Sequence, residues 1–561
     1  MREEALAQRE FFHIQATQND RLREEALPSR GRPDERLREE ALAQREFFHI
    51  QATQNDRLRE EALAQRGFFH IQATQMTETL GVPAGALRAI APAIVLAVTG
   101  FVLMVLDLLP PRARRDHLGF VGLAGVVAAL VTTLLLWGSE ASAFRGMVVL
   151  DNFALFFNLI IGYATGLVLL LSIDYLRQRG QESGEFYILV VFAAVGMVVM
   201  ASANDLIVIF LGLETMSLAL YVLAGFFRNR IEAGEASMKY FLLGAFASGF
   251  FLYGIALIYG STGSTNLDKV GAAVAAGASR DPLLLVGSGL LVVGFGFKIS
   301  SVPFHMWTAD VYEGAPTSVT AFIATGSKAA AFGAFLRVFL GTLRPLQPDW
   351  ALMLWGLAVL SMTVGNVVAL AQQNLKRMLA FSSIAHVGYM LVGMVAGGAL
   401  GNGSVLFYLL VYTFTTAGAF GVILLLERGG EEAVRVEDTA GLATRHPLLA
   451  LSLTIFLLSL IGIPPTAGFV GKFYLFGAAV RTGYIWLAVI GVLNSAVASY
   501  YYLRVIVNMY MHEPEGTPTS VVPSFAGTLA LVVALWGVVQ LGLLPAPLFD
   551  LAQSAVLPLL R

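Results

Sequence analysis

The sequence predicts an all-α membrane protein with about fourteen transmembrane helices, and three observations lead to this fold class. The chain of 561 residues is 56% hydrophobic and only 14% charged, which is far from the composition of soluble globular domains. Apolar runs long enough to span a bilayer recur from residue 89 to near the C-terminus. Prolines interrupt two of these runs, each time beside a lysine.

The charge balance and the cysteine count exclude several classes of protein. A net charge of -2 gives no basic surplus for binding nucleic acid, so partners are expected within the membrane. The sequence contains no cysteine, which excludes disulfides, Cys-ligated zinc and Cys-ligated iron–sulfur clusters. If the protein serves a redox enzyme, the electrons must pass through other chains.

The first 75 residues form a near-identical tandem repeat. Arg2–Leu22 recurs unchanged at Arg38–Leu58, and most of the unit recurs again at Arg59–Gln75. Coiled coils and solenoids keep a pattern while their residues drift, so near-identity indicates recently duplicated DNA. We expect residues 1–75 to be a translated upstream repeat or a disordered segment, with the membrane domain starting at Met76. The alternative is an amphipathic helical extension.

Each predicted span is an apolar run of about 20 residues, which is the length needed to cross a hydrocarbon core of about 30 Å. The predicted spans one to fourteen lie near residues 89–109, 118–137, 147–173, 186–202, 205–227, 237–260, 283–303, 316–343, 350–370, 378–397, 404–426, 447–480, 484–510 and 523–545.

The orientation follows from the lysines and arginines in the loops. Loops after odd-numbered spans carry most of the cations, and we call their face the cation-rich side. Its residues include Arg112, Arg114, Arg115, Arg177, Arg179, Arg228, Arg230, Lys376, Arg377, Arg428, Arg435 and Arg445. By the positive-inside rule, this side faces the cytoplasm and both termini face outward.

Two spans are predicted to be broken. Span seven reads GFGFKISSVPFHMW with Pro303, and span twelve reads LIGIPPTAGFVGKF with Pro464 and Pro465. Proline removes a helix hydrogen bond and clashes with the preceding turn. Interrupted helices at corresponding positions of two halves indicate a repeat transporter with ion sites near the midplane. The pattern predicts two inverted five-helix repeats, at about residues 186–343 and 350–510.

Ionisable residues inside the spans are candidates for function, because a charge at the bilayer centre costs several kcal/mol. Glu214 lies midway along span five, with apolar residues for two turns on each side. Three lysines lie at or near the midplane: Lys298 before the first break, Lys328 in span eight, and Lys472 after the second break. The alternative for all four is a structural charge that pairs with a neighbouring helix.

Three further residues are weaker candidates. Lys239 lies near the start of span six, where snorkelling to the surface is an equal alternative. His305 and His386 have side chains that can relay protons, but a hydrogen-bonded packing histidine is equally compatible with their positions. A row of one carboxylate and several lysines suits proton relay. A nearby carboxylate favours the charged amine, and its withdrawal favours the neutral one.

Five segments carry a family resemblance: FLGLETMSLALYVLAGF, EASMKYFLLGAFASGFFLYGIALIYGSTGSTNL, FKISSVPFHMWTADVYEGAPTSVTAFIATGSKAAAFGAFLR, NLKRMLAFSSIAHVGYMLVG and GIPPTAGFVGKF. They resemble the antiporter-like subunit N family of bacterial NADH:quinone oxidoreductase, respiratory complex I. The resemblance covers about residues 76–561. It implies fourteen spans, two inverted repeats, and functional roles for Glu214, Lys298, Lys328 and Lys472.

The resemblance also implies a setting and partners. The chain would translocate protons in the bacterial inner membrane while partner subunits oxidise NADH and reduce quinone. It would bind no cofactor or metal itself, with FMN and iron–sulfur clusters expected in the partners. Expected neighbours are the antiporter-like subunits M and L, the small subunits K and J, and lipid.

Two other classes remain open at this point. One is a cation/proton antiporter subunit of the Mrp type without redox coupling, which co-purification with NADH dehydrogenase activity would argue against. The other is a structural scaffold whose buried charges only hold helices together.

Overall fold

The computed structural model describes residues 84–109, 116–181, 183–428, 431–513 and 519–560. The N-terminal tandem repeat lies outside these residues, so the prediction that the membrane domain starts at Met76 stays a prediction.

The described chain is almost entirely helical. Its first half consists of α1 (Ala84–Leu108), α2 (Asp116–Leu135), α3 (Asn152–Gln178), α4 (Gly184–Ser202), α5 (Leu206–Ala224), α6 (Ile231–Thr262), α7 (Leu267–Ala275), α8 (Pro282–Ile299) and α9 (Thr308–Gly314). Predicted span eight is a rod built from α10 (Thr317–Phe322), a π-helical turn (Ile323–Ser327), α11 (Lys328–Leu336) and a second π-helical turn (Arg337–Thr342).

The second half continues with α12 (Gln347–Leu370), α13 (Leu375–Ala396), α14 (Gly398–Leu425), α15 (Leu442–Arg445), α16 (Pro447–Ile461), α17 (Ala467–Arg481), α18 (Ile485–Met511), α19 (Phe525–Leu543) and α20 (Ala546–Leu560). Among the residues that the structure describes, five short strands form two small antiparallel sheets. They are β1 (Ala141–Ala143), β2 (Val148–Leu150), β3 (Leu426–Arg428), β4 (Glu431–Glu432) and β5 (Ser520–Val521).

In the described part of the chain, thirteen helices are long and apolar enough to cross a membrane. The remaining predicted span, near 447–480, consists of α16 and α17, each 15 residues long. The predicted all-α membrane fold is therefore confirmed, and the chain is a multi-pass membrane protein. Helix α20 was not predicted, because its 15 residues after Pro545 are too few to stand out as a span.

Three spans form the centre of the bundle. Span eight and α14 are wholly buried over their most apolar stretch and α13 is 94% buried, whereas α1, α2 and α6 are only 33% buried. The outer helices therefore present apolar side chains to lipid, and the central ones can carry polar groups shielded by protein. Any charged residue on span eight or α13 must find its partners inside the bundle.

The helices end at both predicted interruptions. Helix α8 ends at Ile299, and residues 300–307 run without regular helix before α9. Helix α16 ends at Ile461, and α17 begins at Ala467. Ser300 and Gly462 cap these two ends in the left-handed region, with φ of 67° and 90°. Pro303 and Pro465 each follow a cis peptide bond.

Candidate functional site

Three of the predicted lysines lie in the protein interior. Lys298, Lys328 and Lys472 are 3%, 1% and 5% exposed, on α8, α11 and α17. A buried ammonium is tolerated only where acceptors, aromatic rings or a carboxylate offset the loss of water. The surroundings of each lysine therefore determine what it can do.

Aromatic rings surround Lys298 at the first break. Its Nζ lies 5.2 Å from the ring centroids of both Tyr221 and Tyr240, and 5.8 Å from that of Phe297. Among the described residues, this Nζ has no hydrogen-bond acceptor. Glu214 acts on the ammonium through its charge. The position suits a lysine whose proton depends on a nearby carboxylate, because cation–π contacts alone are weak.

Glu214 is half-buried on α5 and is hydrogen-bonded by the hydroxyl of Ser248 on α6. Lys239 on α6 and Lys298 on α8 are the two candidate basic partners for this carboxylate. In the structure Lys239 instead pairs with Glu235 and Asp310, each at 2.6 Å. The charge of Glu214 reaches Lys298, the other candidate, but among the described residues no hydrogen bond joins the two side chains.

Lys328 lies at the centre of the bundle, directly after the first π-helical turn of span eight. Its Nζ donates a hydrogen bond to Ser383 Oγ on α13. The hydroxyl of Tyr412 donates to the same Oγ at 2.8 Å, and that of Tyr312 lies 3.4 Å from it. Ser383 thus joins one amine to two phenols, and π-helical turns are frequent at such functional positions.

His386 lies one turn beyond Ser383 on α13. Its Nδ1 is hydrogen-bonded to the hydroxyl of Tyr408 at 2.7 Å, and its Nε2 lies 3.3 Å from the hydroxyl of Tyr502. The charges of Lys328 and Lys472 both act on the imidazole. A side chain that donates through one nitrogen and accepts through the other can pass a proton between two such lysines.

Lys472 lies at the second break. Together with Lys298, Lys328 and His386 it forms a set of basic residues that we call the row. Its Nζ donates to the carbonyl oxygens of Leu460 and Ile461, both at 2.9 Å, and lies 3.2 Å from Ser495 Oγ. The ammonium therefore caps the C-terminal carbonyls of α16, where the helix dipole favours a cation. It also lies 4.5 Å from the ring centroid of Tyr389.

Two candidates lie away from this row. Lys239 has 41% of its side chain exposed, in a network with Asp310 and Arg377 on the cation-rich side. His305 is half-buried on the non-helical segment that follows Pro303. Its Nδ1 has no partner within the part of the chain that the structure describes. The hydrogen bonds of Lys328 and His386 given above do not reach either residue.

Two buried ion pairs were not predicted. Asp151, which caps α3, accepts two hydrogen bonds from Arg337 at 2.8 and 3.0 Å. Glu432 on β4 lies 3.8 Å from Lys376 on α13. Single-sequence patterns gave no signal for either, because Arg337 stands at the end of a span and Glu432 stands in a charged loop, where charges are ordinary.

The electrostatics of Glu432 reflect strong local partners. Burial alone raises the pKa of this carboxyl. The charge of Lys376 and the hydroxyl of Tyr175 outweigh burial and hold the pKa below its usual range. Glu432 is therefore a carboxylate at neutral pH.

The side chains of the row are of types that can exchange protons. The four basic residues and Glu214 lie on five helices, and serine and tyrosine hydroxyls are hydrogen-bonded to Lys328 and His386. Among residues 84–560, the described portions contain no group of three His, Cys, Asp or Glu side chains placed to hold a metal ion.

The family model described as NADH:quinone oxidoreductase/Mrp antiporter, transmembrane, matches residues 203–498. The chain is also 51% identical over 471 residues to NADH-quinone oxidoreductase subunit N of Trichlorobacter lovleyi, covering 84% of this chain and 97% of that one. The same subunit of Chloroflexus aggregans is 46% identical over 487 residues, 86% of this chain and 99% of its own. The chain belongs to the NADH-quinone oxidoreductase subunit N family.

Solved structures agree with this membership of the subunit N family. A chain of respiratory complex I from Thermus thermophilus, with bound aureothin, matches with a TM-score of 0.70 and 39% identity. The match covers 82% of this chain and 99% of that one. A chain of the Mrp complex from a Dietzia species matches with a TM-score of 0.75 at 22% identity, covering 85% and 98%. The second likeness concerns the fold alone.

Proposed function

We propose that this chain is the proton-translocating subunit N of a bacterial proton-pumping NADH:quinone oxidoreductase. Oxidation of NADH and reduction of quinone take place in partner subunits, which carry FMN and iron–sulfur clusters. The chain lies in the inner membrane beside subunits M, L, K and J, with both termini on the outer side. Its two halves, about residues 186–343 and 350–510, act as inverted repeats.

The observation that carries this proposal is the buried row of Lys298, Lys328, His386 and Lys472. Proton relay requires groups that exchange protons near neutral pH and connections that pass them on. Ser383 and Tyr412 are hydrogen-bonded on the Lys328 side and Tyr408 on the His386 side, and water or side-chain motion would complete the path between them. If these charges only held helices together, each ammonium would need a hydrogen-bonded partner, yet Lys298 faces aromatic rings instead.

Glu214 supplies the switch in this proposal. When the carboxylate is close and charged, it stabilises the ammonium of Lys298. When it is neutralised or withdrawn, the buried amine releases its proton toward the central row. A conformational or charge change in a partner subunit reaches the row by acting on Glu214. A role of His305 and Lys239 in the relay stays a prediction.

The experiment compares Lys328→Met with the exposed control Lys269→Met in membrane vesicles. NADH oxidation, proton uptake and the amount of assembled complex on a native gel are measured together. We expect Lys328→Met to assemble and to lose coupled proton uptake, while Lys269→Met keeps it. Full uptake in Lys328→Met would overturn the relay.

The Mrp-type antiporter is the second candidate, and the match to the Dietzia Mrp chain is the observation in its favour. The relatives at 46–51% identity nevertheless carry the name NADH-quinone oxidoreductase subunit N. Purification of the native complex distinguishes the two: we expect NADH dehydrogenase activity to accompany this chain. Isolation of this chain with antiporter subunits alone would favour the Mrp-type antiporter function.

A further inference from the structure

Glu432 is an unusual carboxylate, because it belongs to a loop on the cation-rich side and yet lies inside the bundle. Its side chain is only 3% exposed, and that of its partner Lys376 is 2% exposed. The short antiparallel pairing of β3 with β4 turns the chain back after α14. A carboxylate on a loop is normally in contact with water, and this one is not.

Three spans converge on the Glu432 carboxylate. Tyr175 on α3 donates a hydrogen bond to Oε1, and Thr317 at the start of span eight donates to Oε2 at 2.9 Å. The Nζ of Lys376 lies 3.8 Å from Oε2, but donates its own hydrogen bond to the carbonyl of Ala315 at 2.7 Å. The lysine therefore has a second acceptor when its ion pair with Glu432 loosens.

Stability alone does not account for this pair. Moving two charges out of water costs several kcal/mol each, and apolar residues of similar volume often stabilise such a site equally well or better. While the pair is intact, Lys376 keeps Glu432 ionised. When the lysine turns to the carbonyl of Ala315 instead, the carboxyl loses that charge, and burial then favours its protonated form.

We propose that Glu432 is the carboxylate that takes up protons from the cation-rich side and passes them along span eight to Lys328. This inference rests on the proposed function and adds the point at which protons reach the relay.

Polar side chains lie between Glu432 and Lys328, and water would have to carry the proton between them. Thr317 and Thr320 lie one turn apart on span eight, and Thr320 Oγ1 donates to the carbonyl of Tyr312 at 2.9 Å. The Tyr312 hydroxyl lies 3.4 Å from Ser383 Oγ, which accepts the hydrogen bond of Lys328. Along the helix axis, Thr317 and Lys328 are about 16 Å apart at 1.5 Å per residue.

The proton balance is simple. A hydronium ion in the aqueous phase on the cation-rich side gives its proton to a Glu432 oxygen, so one O–H bond breaks in hydronium and one forms in the carboxyl group. The carboxyl O–H bond then breaks as hydroxyls and water carry the proton inward. A new N–H bond forms on the neutral amine of Lys328. No oxidant or reductant takes part.

The test compares Glu432→Gln with the control Glu427→Gln, which changes a partly exposed carboxylate on the same hairpin. Proton uptake and NADH oxidation are measured in vesicles, with Lys328→Met in parallel. We expect Glu432→Gln to lower proton uptake by the same factor as Lys328→Met, and Glu432→Asp to restore part of it. The Glu432→Gln, Lys328→Met double variant should be no worse than either single variant, because both block one route.

The outcomes for Lys328→Met and Glu432→Gln distinguish a failure of this inference from a failure of the proposed relay. If Lys328→Met loses uptake while Glu432→Gln keeps it, protons reach the relay elsewhere and this inference is wrong. If both variants pump fully, the relay itself is wrong.

A double variant deals with the case in which Glu432→Gln leaves Lys376 as an unpaired buried charge and prevents assembly. Glu432→Gln with Lys376→Met removes both charges and should assemble. A purely anchoring role predicts that this double variant regains normal uptake. The proposal predicts that it stays as low as Lys328→Met.

Discussion

The two interrupted helices look alike in the sequence and differ in the structure. Both place a lysine beside a proline break, yet Lys298 lies before its break and faces rings, whereas Lys472 lies after its break and reaches back. Lys472 donates to two carbonyls of the preceding helix and thereby neutralises its end. At the first break the helix end is satisfied by other groups. Trp307 Nε1 donates to the carbonyl of Phe297 at 3.0 Å.

This difference indicates a division of labour. An ammonium that caps a helix is fixed in place by backbone oxygens, which do not change their charge. Lys298 lies among aromatic rings with no hydrogen-bond acceptor among the described residues, and we expect its ammonium to respond to the charge of Glu214. We infer that the first break is the responsive end of the row and that the second is the anchored end.

The largest expected effect is a loss of proton pumping, which should be equal when either of the two lysines at the breaks is replaced. Lys298→Met and Lys472→Met should each lower coupled proton uptake by about a hundredfold, the lower part of the range for general acid–base groups. The measurement is NADH-driven uptake in vesicles, normalised to assembled complex, with Lys269→Met as control. Normal uptake in only one of the two variants would show that the two lysines do not belong to a single proton path.

Glu214 should affect the first break more than the second. Glu214→Ala should cut both NADH oxidation and proton uptake by about tenfold in an assembled complex, since a hydrogen-bonded charge contributes about 1.5–3 kcal/mol. Glu214→Asp should be milder because it keeps the charge. The exposed Glu185→Gln on α4 is the matched control. Full pumping by Glu214→Ala in assembled complex would make the glutamate structural.

The free energy of unfolding should depend more on Lys472 than on Lys298. Lys472→Met removes the donor from two carbonyls and one hydroxyl, so the free energy of unfolding should fall by about 2 kcal/mol. Lys298→Met removes a buried charge among rings and should leave stability unchanged or higher. Thermal unfolding of the purified complex in detergent measures both. Equal losses would refute the distinction between a capping and a responsive lysine.

The smallest expected effect concerns the caps of the two broken helices. Ser300 adopts φ of 67° at the end of α8, where the second break has Gly462. A left-handed residue with a Cβ costs about 1–2 kcal/mol, so Ser300→Gly should stabilise the first break by about 1 kcal/mol. The reverse change, Gly462→Ser, should destabilise by more. A Cβ there would lie 3.0 Å from Lys472 Cδ. Melting curves of both variants test this.

The sequence was sufficient to predict the all-α membrane fold, because hydrophobicity controls membrane insertion locally, one span at a time, but it missed helix α20. It also identified Lys298, Lys328 and Lys472, since a charge inside an apolar run is conspicuous. It left the connecting groups unseen. Ser383, Tyr412 and Tyr408 are ordinary helix residues until tertiary packing brings them to Lys328 and His386.

Loop charges were the hardest to interpret. Glu432 and Arg337 look like surface residues in the sequence, and only the folding of a hairpin and of a helix end buries them. Lys239 illustrates the opposite case. It counts as intramembrane by position, but it pairs with Asp310 at the partly exposed end of α6.

Span eight has a consequence for how the protein is made. Its most apolar stretch has a mean hydropathy of only 1.4, against 2.6 for α1, and protein covers all of it. A lysine at the centre of a nascent helix costs about 2.5–3.5 kcal/mol on insertion. The partners that cover Lys328 include α13 and α14, which the ribosome completes later. We therefore expect the eighth span to enter the bilayer together with helices that follow it, so that the order of insertion differs from the order of synthesis.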